Sequence, residues 1–264
     1  MSDFANIEVL STVLQVVVLV VVIAKTNRLI INEKSFFLPF FFALAMASFF
    51  LSDVYWFVYD VLKPDTRMPI AANEFGECAM ILLLSAGLET LLTDKKKVAG
   101  EIVYAVLYTA ANIALWIVWT GEWLQDILFG IPYAYFLWVL IRGMRTREMM
   151  GRKELFMAMA MSIFVLINLS AVCFVDGIVR EFVVQLCYVT MFTMMVWLGV
   201  KSFRRMDFFV TSTFFLWTNL AMFATPVPYY YVSFIGNTVA LPLMLLSMKK
   251  ELLTDKEIVA HDLC

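Results

Sequence analysis

Nine stretches of mainly apolar residues follow one another along the chain, at 7–24, 37–59, 70–92, 100–119, 123–141, 155–175, 182–200, 208–224 and 229–247. A helix crosses a bilayer with about 20 such residues, so each stretch meets or approaches one span. The pattern predicts an all-α, polytopic membrane helix bundle of about nine transmembrane helices over residues 1–248. Residues 249–264 follow as a short tail that reads as helical. The first stretch does not read as a signal peptide. Asp3 and Glu8 precede it instead of positive charge, and Lys25 stands where small residues should mark a cleavage site.

The polar breaks orient the bundle. Alternate breaks carry 17 of the 20 basic residues, in the groups Lys25/Arg28/Lys34, Lys95–Lys97, Arg142–Lys153, Lys201–Arg205 and Lys249–Lys256. The opposite breaks carry three: Lys63, Arg67 and Arg180. This asymmetry obeys the positive-inside rule and places the N-terminus outside and the C-terminus in the cytoplasm. Adding or removing one span would scramble the alternation. The segment Thr225-Pro-Val-Pro228 could mark one broken helix, but the basic residues on both flanks argue for two.

Composition agrees. Of 264 residues, 62% are hydrophobic and 16% charged, against about 45–50% and about 25% in soluble domains. A multi-pass protein of the plasma (cytoplasmic, inner) membrane follows, with the lipid bilayer as its first partner. The 20 basic and 22 acidic residues leave no basic face for nucleic acid. One histidine, His261, leaves histidine triads, histidine zinc sites and histidine-ligated haem without their ligands. No Lys or Arg falls deep in a stretch, which excludes a retinal Schiff base and an arginine voltage sensor. Cys78, Cys173 and Cys187 sit in apolar runs and form no CxxC pair, so they read as small hydrophobes. No catalytic residue, metal site or cofactor is expected.

After the first stretch, eight remain as four hairpins. Ala111-Asn-Ile-Ala-Leu-Trp116 echoes Thr218-Asn-Leu-Ala-Met-Phe223, and Asp60 falls near the place of Asp176. These echoes suggest a four-plus-four duplication over residues 36–142 and 154–248, with both units in one orientation.

Polar residues inside spans are costly and point to function by default. Asp53, Trp56 and Asp60 share one face of the second helix, and Glu74 and Glu77 share one face of the third. From the helical rise, Asp53 and Glu77 lie roughly 9–12 Å below the outer ends of their helices. Asn112, Asn168, Asn219 and Asn237 fall at a comparable height, under a rim that includes Asp176, Glu122, Asp126 and Tyr229. Each asparagine could instead simply hydrogen-bond across a helix pair. Two carboxylates without a buried cation cannot both stay ionised cheaply, so they face a wet cavity or a cation, or share a proton. Glu89 and Glu101, near the cytoplasmic ends, are given no role.

Three functions fit this pattern. One is a sensor or receptor-type module, in which an outward-facing acidic and aromatic pocket recognises a small molecule or cation and a separate cytoplasmic protein partner carries the signal. The second is a proton- or cation-coupled small-molecule transporter, for which a midplane acidic pair and a repeat are the expected pattern. The third is an intramembrane lipid-modifying enzyme working through paired carboxylates. The residues alone assign neither ligand nor oligomeric state.

Overall fold

The computed structural model describes residues 3–32, 36–59, 72–92, 98–147, 152–224 and 229–261. Nine helices and no strand occur among them: α1 Asp3–Asn32, α2 Phe37–Phe57, α3 Ala72–Thr90, α4 Ala99–Thr120, α5 Trp123–Thr146, α6 Arg152–Phe174, α7 Gly177–Arg205, α8 Phe208–Ala224 and α9 Tyr229–His261. Seven of them (α1, α2, α4, α5, α6, α7 and α9) are long and apolar enough to cross a membrane. The other two differ for separate reasons. α3 carries Glu74, Glu77 and Glu89 within 19 residues. α8 has 17 residues, a length of about 25 Å against the ~30 Å hydrocarbon core.

The outer faces of the bundle are apolar. Leu10, Leu14, Val17 and Val21 of α1, Val103, Val106 and Leu107 of α4, and Phe182, Leu186 and Val189 of α7 are all exposed. Such a surface suits lipid, which solvates apolar side chains without cost. The chain is a multi-pass membrane protein.

α8 occupies the centre. Every residue from 208 to 221 is buried, and α5, α6, α7 and α9 pack around it. A helix wrapped by other helices need not match the bilayer in length, which accounts for its 17 residues. It tolerates Thr211, Ser212, Thr213, Thr218 and Asn219 because protein supplies partners: Thr211 and Ser247 share a hydrogen bond of 2.8 Å, and Thr213 Oγ1 donates to the Phe209 carbonyl at 2.7 Å. α8 and α9 are two helices packed along each other, as the flanking charges predicted.

Several helices run past the ends of the apolar stretches. α1 continues through Lys25 and Arg28, α5 through Arg142 and Arg145, α7 through Lys201 to Arg205, and α9 through Lys249 to His261. Lys and Arg are good helix formers, so a charged residue ends an apolar run without ending a helix. One consequence corrects the sequence reading. Arg142 is only 5% exposed, with its guanidinium 5.6 Å from the Trp138 ring and 3.4 Å from the Glu89 carboxylate. Glu89 and Glu101 are likewise partners rather than idle solvated acids: Glu101 pairs with Arg145. Arg147, just after α5, reaches Glu251 of α9 at 2.6 Å and Asp207 at 3.5 Å. Asp207 in turn caps α8 by accepting from the Phe209 and Val210 N–H groups. The arginines at the end of α5 thus tie it to α3, α4, α8 and α9.

Candidate functional site

Two close approaches build the end of the bundle where α4 turns into α5. At Gly76 of α3, a Cβ would come within 2.9 Å of both the Ser48 carbonyl oxygen and Ser52 Cβ of α2. Only a residue without a side chain lets the helices meet so closely, a common device in membrane bundles. Ser52 Oγ then donates across the gap to the Asn73 carbonyl at 2.7 Å. The neighbours of this contact are Asp53 and Glu77, so the tight crossing brings the two carboxyl-bearing turns together. Asp53 is 9% exposed, and its Oδ2 meets no hydrogen-bond donor among the described residues. Glu77 is half-buried and lies within electrostatic range of both Asp53 and Tyr133.

The second approach is the turn from α4 to α5. Gly121 sits at φ 78°, the left-handed region that glycine enters without strain, and its N–H closes α4 on the Ile117 carbonyl at 2.9 Å. Thr120 fastens the turn: its hydroxyl donates to Asp126 Oδ2 at 2.6 Å and accepts from the Glu122 N–H at 3.0 Å. α5 therefore starts beside α3, and the Gln125 amide donates to the Glu74 carboxylate.

Between α3, this turn and the first two turns of α5 lies a cavity of about 470 Å³, within the range of about 300–1,000 Å³ typical of ligand sites. Glu74, Glu122 and Gln125 supply its polar wall, and Phe75, Trp123 and Phe129 supply rings. Among the described residues, no Lys, Arg or His lines it. Carboxylates and aromatic faces are the groups that attract cations. Phe129 also belongs to a ring cluster, 5.2 Å from Tyr133 and 5.9 Å from Trp116 between centroids. Below that cluster, the Tyr133 hydroxyl donates to Asn219 Oδ1 at the bundle centre.

The residues singled out from the sequence take varied places. Glu74 lines the cavity. Asp53 and Glu77 adjoin each other at the α2–α3 crossing, with Trp56 half-buried one turn above Asp53. Asn219 is buried against Tyr133, while Asn112 donates to the Tyr108 carbonyl of its own helix at 2.9 Å. Asn168 is buried, and buried Asn237 approaches Met222 Sδ at 3.7 Å. Asp176 is exposed at the start of α7. Asp60 lies outside the described residues. Gln125, Thr120 and Tyr133 were missed. The legible signal was the polar pair Gln125-Asp126 just behind Glu122, at the head of an otherwise apolar helix.

The chain matches no known family, no curated protein and no solved structure.

Proposed function

We propose that this protein is a nine-span sensor or receptor-type module of the plasma membrane, N-terminus outside, whose outer cavity receives a small organic cation. The carrying observation is the lining: two carboxylates and three aromatic rings, with no basic side chain among the described residues of the wall. The strong one-sided distribution of basic residues supports the orientation. α9 runs on as one helix to His261, and its cytoplasmic extension is held by Arg147 through Glu251. That extension is the element we assign to contact a separate cytoplasmic protein. The units 36–142 and 154–248 are proposed to be duplicates sharing one orientation, each placing a buried asparagine, Asn112 or Asn219, on an even-numbered helix.

Thermal unfolding in detergent tests the ligand class. Tetramethylammonium should raise the melting temperature with concentration, and a neutral alcohol of the same shape should not. Equal effects from the two compounds contradict the reading.

A second reading rests on its own observation. Asp53 and Glu77 lie within electrostatic range of each other, as do Glu77 and Tyr133, and Tyr133 is hydrogen-bonded to Asn219 of the central helix. Intramembrane polar groups gathered in this way suit proton- or cation-coupled transport. Uptake of labelled tetramethylammonium into vesicles against its gradient, driven by a pH difference, would favour that reading over a sensor.

A further inference from the structure

A second cavity lies at the opposite end of α5. It encloses about 220 Å³ between α4, α5, α6 and α8. Its walls are largely hydrocarbon and thioether: Leu140, Met144, Met159, Leu216 and Trp217. A smaller void of about 30 Å³ shares Met144, Ala158, Thr213 and Trp217, so the space continues toward α7.

One group does not belong in such a place. Glu101 lines the cavity, and its side chain is 10% exposed. Arg145 holds Oε1, but Oε2 is buried and meets no donor among the described residues. Two hydroxyls of the wall are already engaged: the Tyr104 hydroxyl is 2.6 Å from Ser162 Oγ, and Thr213 bonds the Phe209 carbonyl. A buried acceptor left without a donor is costly, so an apolar chamber that ends on one calls for a ligand bringing a donor. Arg145 already balances the charge of Glu101, so that donor need not be cationic. Met159 of the chamber wall is exposed on α6, and so are Ile102 and Val103, which follow Glu101 on α4. The entrance therefore opens to hydrocarbon.

We propose that this cavity binds a neutral membrane amphiphile with a single apolar chain and a hydroxyl head. The hydroxyl donates to Glu101 Oε2, and the chain lies against Met144, Leu216 and Trp217. This site is separate from the outer cavity and does not depend on the cation reading. It reaches the central helix through Trp217 and the end of α5 through the Arg145 pair.

The test uses the full-length protein in phosphatidylcholine vesicles and an undecanol carrying bromine at its far end. Bromine near Trp217 quenches its fluorescence. The alcohol should quench saturably, and Trp217→Phe should remove the saturable component. Brominated undecane, which lacks the hydroxyl, should quench without saturation. Glu101→Ala should weaken the midpoint roughly tenfold, the weight of one hydrogen bond to a charged acceptor. Ala158→Leu narrows the chamber with Glu101 and Arg145 intact, and should also abolish saturation. Equal quenching by alcohol and hydrocarbon overturns the proposal. So does unchanged saturation in Ala158→Leu, even if Glu101→Ala fails to fold.

Discussion

Gln125 of α5 donates its amide N–H to the Glu74 carboxylate of α3, and the two residues stand side by side in the wall of the outer cavity. The bond links the helices on either side of the cavity and fixes one of its carboxylates before any ligand arrives. Such prior orientation lowers the ordering cost of binding.

The α2–α3 crossing should depend on the missing Cβ at residue 76. Gly76→Ala places a methyl 2.9 Å from the Ser48 carbonyl oxygen, which belongs to backbone and cannot swing away. We expect a loss of about 1–3 kcal/mol, as for other overpacked sites. Gly100→Ala is the control: nothing lies within 4 Å of its Cβ, and alanine favours the helix. Unfolding midpoints in detergent should fall for the first and hold or rise for the second.

The Tyr133–Asn219 hydrogen bond should be worth more than its own strength. Tyr133→Phe leaves a buried Asn219 oxygen without that donor, at a cost of about 1–3 kcal/mol. Adding Asn219→Leu removes the stranded acceptor. The double variant should therefore lose less than the two singles together, as a thermodynamic cycle measures directly.

Removing Arg147 should loosen the C-terminal part of α9 while leaving the bundle intact. Arg147→Ala breaks the contacts to Glu251 and Asp207, and its partial exposure limits the global cost to about 1 kcal/mol. Hydrogen exchange should accelerate around residues 248–253 and stay slow in α8. High salt should produce a weaker version of the same change in the native protein.

The sequence made the helices legible because lipid demands long apolar runs and the basic residues sort by side. It also marked Asp53, Glu74 and Glu77, since carboxylates stand out against such a background. It did not show that α8 is central, because a helix wrapped in protein and one facing lipid can share a composition. Nor did it show that the Glu101 side chain is mostly covered. Glu101 and Arg145 are 44 residues apart, and only the α4–α5 packing turns an expected solvated acid into a paired one. The place of the outer cavity depended on Gly121 and Thr120, whose turn geometry sets where α5 begins.

Orientation can be checked on a single helix. α7 spans about 42 Å from Gly177 to Arg205, with exposed Glu181 near one end and exposed Arg204 near the other. In a chain freed of its own cysteines, an impermeant thiol reagent outside intact cells should label Glu181→Cys and spare Arg204→Cys. Labelling of both, or the reverse pattern, contradicts the assigned orientation.

We propose that the acidic and aromatic cavity holds a cation, and calorimetric titration of the purified protein with tetramethylammonium measures that binding. Binding should be saturable, and Glu122→Gln and Glu74→Gln should each weaken it roughly threefold to tenfold, about 1 kcal/mol for a part-exposed charge. Glu181→Gln, on α7 and outside the cavity wall, should leave it unchanged. Binding that is absent in the native protein, or equally strong in all four proteins, would rule out a cation site in this cavity.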